Sequence, residues 1–302
     1  MTTKDIISLV KFCDTETGLK ILNSQSLRWS SPHLFNDPFE LGHHSAPSVN
    51  NQNLVSGIIK DAINMLFGPT EPKGKSNRLV AAISRWRDED RFASEEEASI
   101  VLKQLLGQVA EQQIQTIDSY VSAWKEFASS IRICSFCEKP GNMSAWQRFG
   151  DNHNGIAMRF SCGENTALPN PQAINYGSAP PFVTSLKEQV SVCYGREEAP
   201  THDGFLGKLL SKSKENRSEQ EWRCLAQEEN KNDIGTDEQL WYSNKKFSSS
   251  ELKAIYIGLA TSLQDKEAVI KLVKDKYPKT KVYQAQALAG RYEIDFSAIG
   301  TR

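Results

Sequence analysis

The chain has 302 residues, of which 39% are hydrophobic and 24% are charged, and this composition excludes a mostly disordered protein. Its formal net charge of -1 excludes a histone-like polycation but allows a local basic patch. No apolar run reaches the ~18 residues of a membrane span. The N-terminal sequence MTTKDIISLVKFCD has no signal-peptide core, so we expect a cytoplasmic protein that does not contact a membrane.

Apolar periodicity predicts the elements of the first half of the chain. In chain order they are strand 4–13, helix 15–26, strand 27–30, helix 54–67 and one or two helices over 95–129. Ser94 and Glu97 form a capping box in front of the last of these segments. We therefore expect a helical insertion at about 51–130.

From residue 131 the pattern changes to short apolar segments separated by Pro- and Gly-rich loops. In chain order the predicted elements are strand 131–136, helix 142–150, strand 155–161, loops 163–182 and 195–205, helix 206–214, an alternating segment 219–226, strand 254–258, helix 264–277 and strands 281–288 and 292–296. The whole pattern predicts a single α+β domain over 1–302.

The six cysteines are scattered along the chain, and Cys134 and Cys137 form the one close pair. A structural zinc site needs two further ligands at suitable spacing, and the sequence offers neither a second CxxC nor an H-x(3–5)-H pair. Reduced cysteines buried in a strand are therefore favoured over zinc, and we expect no metal.

The segment Glu219-Gln-Glu221-Trp-Arg223 carries the strongest chemical signal. In a strand, alternate residues share one face, so both carboxylates and the guanidinium would point the same way. Two carboxylates about 7 Å apart repel each other unless Arg223 or a substrate cation lies between them. The pattern fits a catalytic site, and it also fits a solvated strand face with a Glu–Arg ladder.

The segment Phe35-Asn-Asp-Pro-Phe-Glu40 predicts a rigid turn, because Pro38 favours an extended conformation at Asp37. Asn36 or Asp37 can reach a ligand from such a turn, or the turn can be purely structural.

Trp146 and Phe149 lie one helical turn apart, so they predict either core packing or a stacking wall for a planar ring.

Residues 245–281 carry nine lysines against four acidic residues, which is a local charge of +5. This charge indicates either a surface that attracts nucleic acid or an ordinary solvated helix. The chain has no P-loop, GxGxxG, HExxH or nucleophile elbow, which argues against NTPases, Rossmann oxidoreductases, zincins and α/β-hydrolases.

Together these motifs resemble an uncharacterised bacterial family that shares a Lys-aromatic strand and NDPFE, W-x-x-Y…G and E-x-E-x-R segments. The matching residues are Lys11-Phe12, Leu19 through Leu27, Ser30-Ser31-Pro32, Phe35 through Glu40, Met143, Trp146, Phe149, Gly155 through Phe160, Glu219, Glu221 and Arg223. They span most of the chain outside the helical insertion. Phe149 stands where the family usually has Tyr, so a role for that hydroxyl is lost here.

The order of elements is similar, more distantly, to the ADP-ribosyltransferase fold, which implies a split β-sheet core and NAD as substrate. This resemblance implies that Glu221 is the catalytic carboxylate and that Glu219 orients the acceptor. Lys11 occupies the place of the first-strand His or Arg, and Ser30 or Ser31 that of the second-strand Ser. The remaining residues expected to bind NAD are Asn36, Asp37, Trp146, Phe149 and Arg223.

The function that this resemblance implies is NAD-dependent ADP-ribosylation of a nucleic acid (RNA or DNA) or of a protein. Such families tend to act as toxins or phage-defence effectors, which implies an antitoxin protein as a further partner. Two alternatives stay open: a non-catalytic binding module, and a metal-dependent nuclease that uses Asp37, Glu40, Glu219 and Glu221.

Overall fold

The computed structural model describes residues 7–35, 37, 39–40, 49–70, 72, 77–178, 183–228 and 241–300. The chain divides into two compact units. Unit 1 comprises Met1–Glu40, Ala128–Ala179 and Leu210–Arg302, and unit 2 comprises Leu41–Phe127 and Pro180–Leu209. Among the described residues, no helix is both long and apolar enough to cross a membrane.

The described strands and helices alternate irregularly along the chain. The strands are β1 (Ser8–Cys13), β2 (Ser26–Ser30), β3 (Ile131–Cys137), β4 (Ile156–Ser161), β5 (Gln172–Ala173), β6 (Asn175–Gly177), β7 (Ser211–Ser213), β8 (Glu221–Gln227), β9 (Tyr242–Lys246), β10 (Leu252–Ile257), β11 (Lys281–Ala287) and β12 (Ile294–Ile299). The helices are α1 (Thr15–Ser24), α2 (Asn51–Phe67), α3 (Arg78–Asp88), α4 (Glu95–Ser130), α5 (Met143–Arg148), α6 (Leu186–Cys193), α7 (Phe205–Leu209) and α8 (Leu263–Lys276).

Unit 1 is built on an open sheet in the strand order β12-β11-β10-β4-β1-β3-β2-β9, and this confirms the α+β class. β8 pairs with β3 along its whole length and so occupies one edge of that strand. β1 and β2 therefore share the other edge: Val10 lies opposite Cys137, and Ser30 lies opposite Ile133. The two strands diverge between these points, which leaves room for side chains at the middle of β3.

Apolar side chains cover both faces of the sheet in unit 1, as expected for a sheet buried on both sides. The larger core cluster includes Leu22, Trp29 and Phe160, together with residues of α8. The smaller cluster includes Phe12 and Trp146, whose rings meet edge to face with 5.1 Å between their centroids. The two clusters fix β1 and β3, two of the strands that border the candidate site.

Unit 2 is helical in its described part and contains α2, α3, α6, α7 and most of α4. Its helices bury Leu54 and Ile58 of α2 and Val80 and Ile83 of α3. The predicted insertion at about 51–130 covers α2, α3 and α4, whereas the unit also takes in residues 180–209 from later in the chain. The prediction of one domain over 1–302 stays a prediction.

Most predicted elements are confirmed within a few residues, and 95–129 is a single helix. The sequence missed α3, α6 and β9, and the predicted loop 163–182 contains β5 and β6. It also extended the helix at 206–214 too far, since α7 ends at Leu209 and Ser211–Ser213 is β7. The prediction that Glu219 lies in the same strand as Glu221 and Arg223 was also wrong. Glu219 ends a 3-10 helix and Gln220 has a left-handed backbone (φ 48°), so β8 begins at Glu221.

The prediction that the close pair of cysteines is buried in a strand is confirmed. Cys134 and Cys137 are both buried in β3, and they belong to core clusters on opposite faces of the sheet. Two thiols on opposite faces of a strand cannot ligate one ion together, so the CxxC spacing does not make this pair a joint ligand.

Candidate active site

A cleft of about 380 Å³ opens in unit 1 beside β1, β3 and β8, and its size lies within the range of small-molecule sites. Its charged and aromatic lining residues include Lys11, Phe35, Asp37, Glu40, Arg148, Phe149, Lys212, Glu219, Glu221 and Arg223. They come from parts of the chain more than 200 positions apart, so the fold of unit 1 assembles the cleft.

Three buried carboxylates converge on one ammonium group at this cleft. Glu40, Glu219 and Glu221 are each at most 5% exposed. The Nζ atom of Lys212 lies 2.8 Å from Glu219 Oε2, 3.0 Å from Glu221 Oε2 and 3.5 Å from Glu40 Oε2. Lys212 thus neutralises charges that would otherwise repel one another.

Arg223 is the second cation of this cluster and has no exposed surface. Its Nε donates to Glu221 Oε1 at 2.8 Å, and its Nη2 group pairs with Glu40. The guanidinium carbon lies 5.2 Å from the centroid of the Phe35 ring, which covers it. A fully buried arginine needs such partners, because an unpaired charge in this position would be strongly destabilising.

Arg148 is the third cation, and its side chain is half exposed. It pairs with Glu219 and donates to Asn216 Oδ1 at 2.7 Å. We refer to these three carboxylates and three cations as the ion cluster: Glu40, Glu219, Glu221, Arg148, Lys212 and Arg223. Its formal charges balance, and Arg148 is the member that reaches furthest into solvent.

Local backbone contacts hold the ion cluster in place. β6 and β7 form a parallel pair that sets Lys212 beside Tyr176, and the Tyr176 hydroxyl accepts the backbone N–H of Glu221 at 2.8 Å. Asn142, the N-cap of α5, donates through Nδ2 to the carbonyls of Ser218 and Glu219, both at 2.9 Å. These contacts fix the left-handed turn that leads into β8.

Burial and pairing shift the titration of the ion cluster. Burial raises the pKa of the Glu221 carboxyl, and Lys212 and the Ser135 hydroxyl lower it by less, so its pKa lies above the ordinary 4.5. Burial lowers the pKa of the Lys212 ammonium, but Glu221 and Glu219 raise it by more, so the pKa lies above the usual value. Burial also raises the pKa of Tyr176 to about 12, so its hydroxyl stays neutral.

Six of the residues that the sequence singled out lie together at the cleft: Lys11, Asp37, Phe149, Glu219, Glu221 and Arg223. The Nζ atom of Lys11 donates to the carbonyl of Ser135 at 3.1 Å, between the diverging strands. Phe149 is 40% exposed and presents its ring to the cleft. Asp37 accepts the backbone N–H of Phe39 at 2.9 Å, as the predicted turn requires.

The structure places three other predicted residues elsewhere, and Asn36 lies outside the described residues. Trp146 has no exposed surface and donates its indole N–H to the carbonyl of Pro140 at 2.7 Å, so it is core and not a stacking wall. Ser31 is buried and caps the 3-10 helix that begins at Pro32. Ser30 lines a different groove, next to Lys11.

Sequence reasoning missed Lys212 and Arg148 as site residues. Lys212 fell in a predicted helix, and only the pairing of β6 with β7 brings it to the carboxylates. Arg148 directly precedes Phe149, and a basic residue beside an exposed aromatic was the one available indication.

The acidic residues of the cleft do not form a metal site. Among the described residues, no group of three or more His, Cys, Asp and Glu side chains is arranged to hold an ion. Lys212 and Arg223 instead occupy the space between the carboxylates. This geometry does not favour the metal-dependent nuclease.

Comparison with known proteins found no matching family model, no matching curated protein and no matching solved structure. The function of the cleft therefore has to be argued from its own chemistry, and the family resemblance of the motifs stays a prediction.

The ion cluster predicts a large stability loss when its central cation is removed. We expect Lys212→Met to lower the free energy of unfolding by about 3–5 kcal/mol, because three buried carboxylates lose a shared counter-charge. Urea unfolding followed by circular dichroism measures this loss. In the control Lys20→Met, which breaks a solvent-exposed pair with Glu16, the unfolding midpoint should barely move. Equal effects of the two substitutions would contradict the role given to Lys212.

Proposed function

We propose that this protein is an NAD-dependent ADP-ribosyltransferase whose unit 1 has an ADP-ribosyltransferase-like fold. One observation carries the proposal: a single cleft brings the buried carboxylate of Glu221 together with Lys11 and the exposed ring of Phe149. The divergence of β1 and β2 from one edge of β3 supports it as well. Lys11, Phe149 and Glu221 are three of the residues that the sequence resemblance implies, and a split sheet is the core that it implies.

In this reaction the bond between the ribose C1′ and the nicotinamide nitrogen breaks, and nicotinamide leaves with the bonding electrons. An acceptor heteroatom then bonds to C1′ and releases its proton. The transition state has oxocarbenium character, as in glycoside cleavage. At ~4 Å and an effective dielectric constant of about 20, a carboxylate such as Glu221 attracts that charge by on the order of 4 kcal/mol.

Other residues of the cleft have assignable tasks in this proposal. In this proposal the exposed ring of Phe149 stacks on nicotinamide or on a base, and half-exposed Arg148 binds the anionic pyrophosphate. Glu219 is held by Arg148 and Lys212, so its part in orienting the acceptor requires one of these cations to shift toward NAD. A role as a toxin or defence effector with an antitoxin partner rests on the sequence resemblance.

A specific observation favours a second candidate, the non-catalytic binding module. Both oxygens of Glu221 already have cationic partners, Arg223 on Oε1 and Lys212 on Oε2. A carboxylate used only to complete a buried ion cluster would show this geometry. This candidate predicts that the protein neither binds nor turns over NAD.

The two candidates differ in the effect of Glu221→Gln. As a transferase, the protein should lose NAD turnover by roughly a thousandfold, because about 4 kcal/mol of transition-state stabilisation is removed. Nicotinamide release and transfer of label from NAD to RNA, DNA or protein pools measure the loss.

The matched control is Glu40→Gln, which removes one negative charge from the same ion cluster and keeps the Glu221 carboxylate. It should retain turnover within about tenfold of the wild type, since it spares the carboxylate at the reaction centre. Equal losses in both variants, with circular dichroism spectra unchanged, would make the cluster structural. Full activity of Glu221→Gln would refute the catalytic role of this residue.

The pH dependence of turnover follows from the state of Glu221. Only the ionised carboxylate stabilises a positive transition state, and burial holds its pKa above 4.5. We therefore expect kcat/KM for NAD to fall as the pH falls through a value above 4.5. The Glu40→Gln variant should show the same fall of kcat/KM at acidic pH, because its Glu221 carboxyl still titrates. An acid limb at or below pH 4.5 would be inconsistent with a buried catalytic Glu221.

A further inference from the structure

A second groove lies in unit 1 beside the cleft, and Lys11 lines both. The groove has a volume of about 760 Å³ and is bordered by α1, β2 and β9. Its ionisable lining residues are Lys11, Lys20 and Arg28, and its other lining residues are neutral. Two acidic side chains are close by. Glu16 of α1 pairs with Lys20 at 2.6 Å, both of them exposed, and Asp14, the N-cap of α1, accepts the hydroxyl of the lining residue Thr17 at 2.7 Å.

Two further lysines at the rim add to this positive charge. The Nζ atom of Lys246 donates to the carbonyl of Ser24 at 3.1 Å, and the Nζ atom of Lys276 donates to the carbonyl of Asn23 at 3.0 Å. Both carbonyls belong to residues that line the groove. A chain of net charge -1 thus gathers five cations around one surface groove, against the two carboxylates of Glu16 and Asp14. Such a local field attracts a polyanion.

The groove also offers a flat cationic surface. The guanidinium carbon of exposed Arg28 lies 4.4 Å from the ring centroid of Tyr242, its diagonal neighbour in the β2–β9 pair, in which Tyr242 lies opposite Ser30. A guanidinium held over an aromatic ring has a fixed plane that can stack on a nucleic-acid base, and its N–H groups can bind phosphate. Neutral polar side chains of Asn23, Ser30 and Asn244 supply further hydrogen-bonding groups.

The geometry points to a single-stranded nucleic acid as the occupant of this groove. Phosphates would meet the lysines and the N–H groups of Arg28, and a base would stack on the guanidinium plane of Arg28. The groove thus combines a basic track with a planar stacking platform. Because Lys11 lines both depressions, a strand in the groove would deliver a nucleotide to the cleft. The role of the strand as acceptor rests on the proposed function. Binding of the strand in the groove is independent of that function.

The favoured occupant is a nucleic acid and not an acidic peptide for two reasons. The flat Arg28–Tyr242 stack suits a planar base, whereas an acidic peptide side chain has no ring to stack on it. The groove lining has Ile21 as its one large apolar residue, so it lacks a pocket for peptide side chains.

The test is fluorescence anisotropy with the full chain and no NAD, using short fluorescein-labelled RNA and DNA single strands of mixed sequence. We expect Lys20→Ala combined with Arg28→Ala to weaken binding by about tenfold or more. The slope of log affinity against log salt should become shallower by about 1.4, since each lost phosphate contact contributes about 0.7. Arg28→Lys should keep the salt slope and still bind more weakly, because lysine cannot stack.

The matched control is Lys253→Ala combined with Lys281→Ala, which removes the same charge from exposed positions on β10 and β11, several strands away from β2. Binding by this control should stay within about twofold of the wild type. Equal weakening of strand binding by both double variants would overturn the assignment of the groove as the nucleic-acid site. So would the absence of wild-type binding at low salt, or equally tight binding of a labelled poly-glutamate peptide.

A parallel assay of nicotinamide release keeps this inference separate from the proposed function. Strand binding without NAD turnover would refute the proposed transferase activity and support the groove as a nucleic-acid site. NAD turnover without strand binding would overturn the nucleic-acid site alone.

Discussion

The burial of three carboxylates around one lysine is the constraint on which the site depends. Removing each charge from water costs several kcal/mol, so Glu40, Glu219 and Glu221 can be buried only if Lys212 and Arg223 reach them. The partners come from the segment before unit 2, from β7 and from β8. The cluster therefore ties remote segments of unit 1 together and sets the shape of the cleft.

The same electrostatics determine what the cleft can do. In a poorly solvated site, fixed charges act more strongly than in water, so a carboxylate at the wall can stabilise a developing cation. The cluster is neutral as a whole, and under the proposed function Arg148, its half-exposed member, would assist the approach of anionic NAD. A basic groove that shares Lys11 with the cleft would then supply the acceptor.

Sequence patterns predicted most elements because apolar periodicity reports local burial, as in β1, α1 and α8. The grouping of Glu221 with Arg223 was also readable, since alternate strand residues share a face. The position of Lys212 could not be predicted from the sequence, because it depends on the pairing of β6 with β7. That pairing is a long-range contact without a local pattern. Trp146 illustrates a further limit: helical spacing gives a shared face but does not tell core from cleft.

The most direct test of the central claim is calorimetric titration of NAD into the wild-type protein and into Phe149→Ala. The proposal predicts a saturable heat for the wild type and binding weaker by about tenfold in the variant, which loses the exposed ring of the cleft. Phe149 is far enough exposed for the variant to keep its fold. Absence of a saturable heat with the wild type, or equal affinities of both proteins, would contradict the assignment of this cleft to NAD.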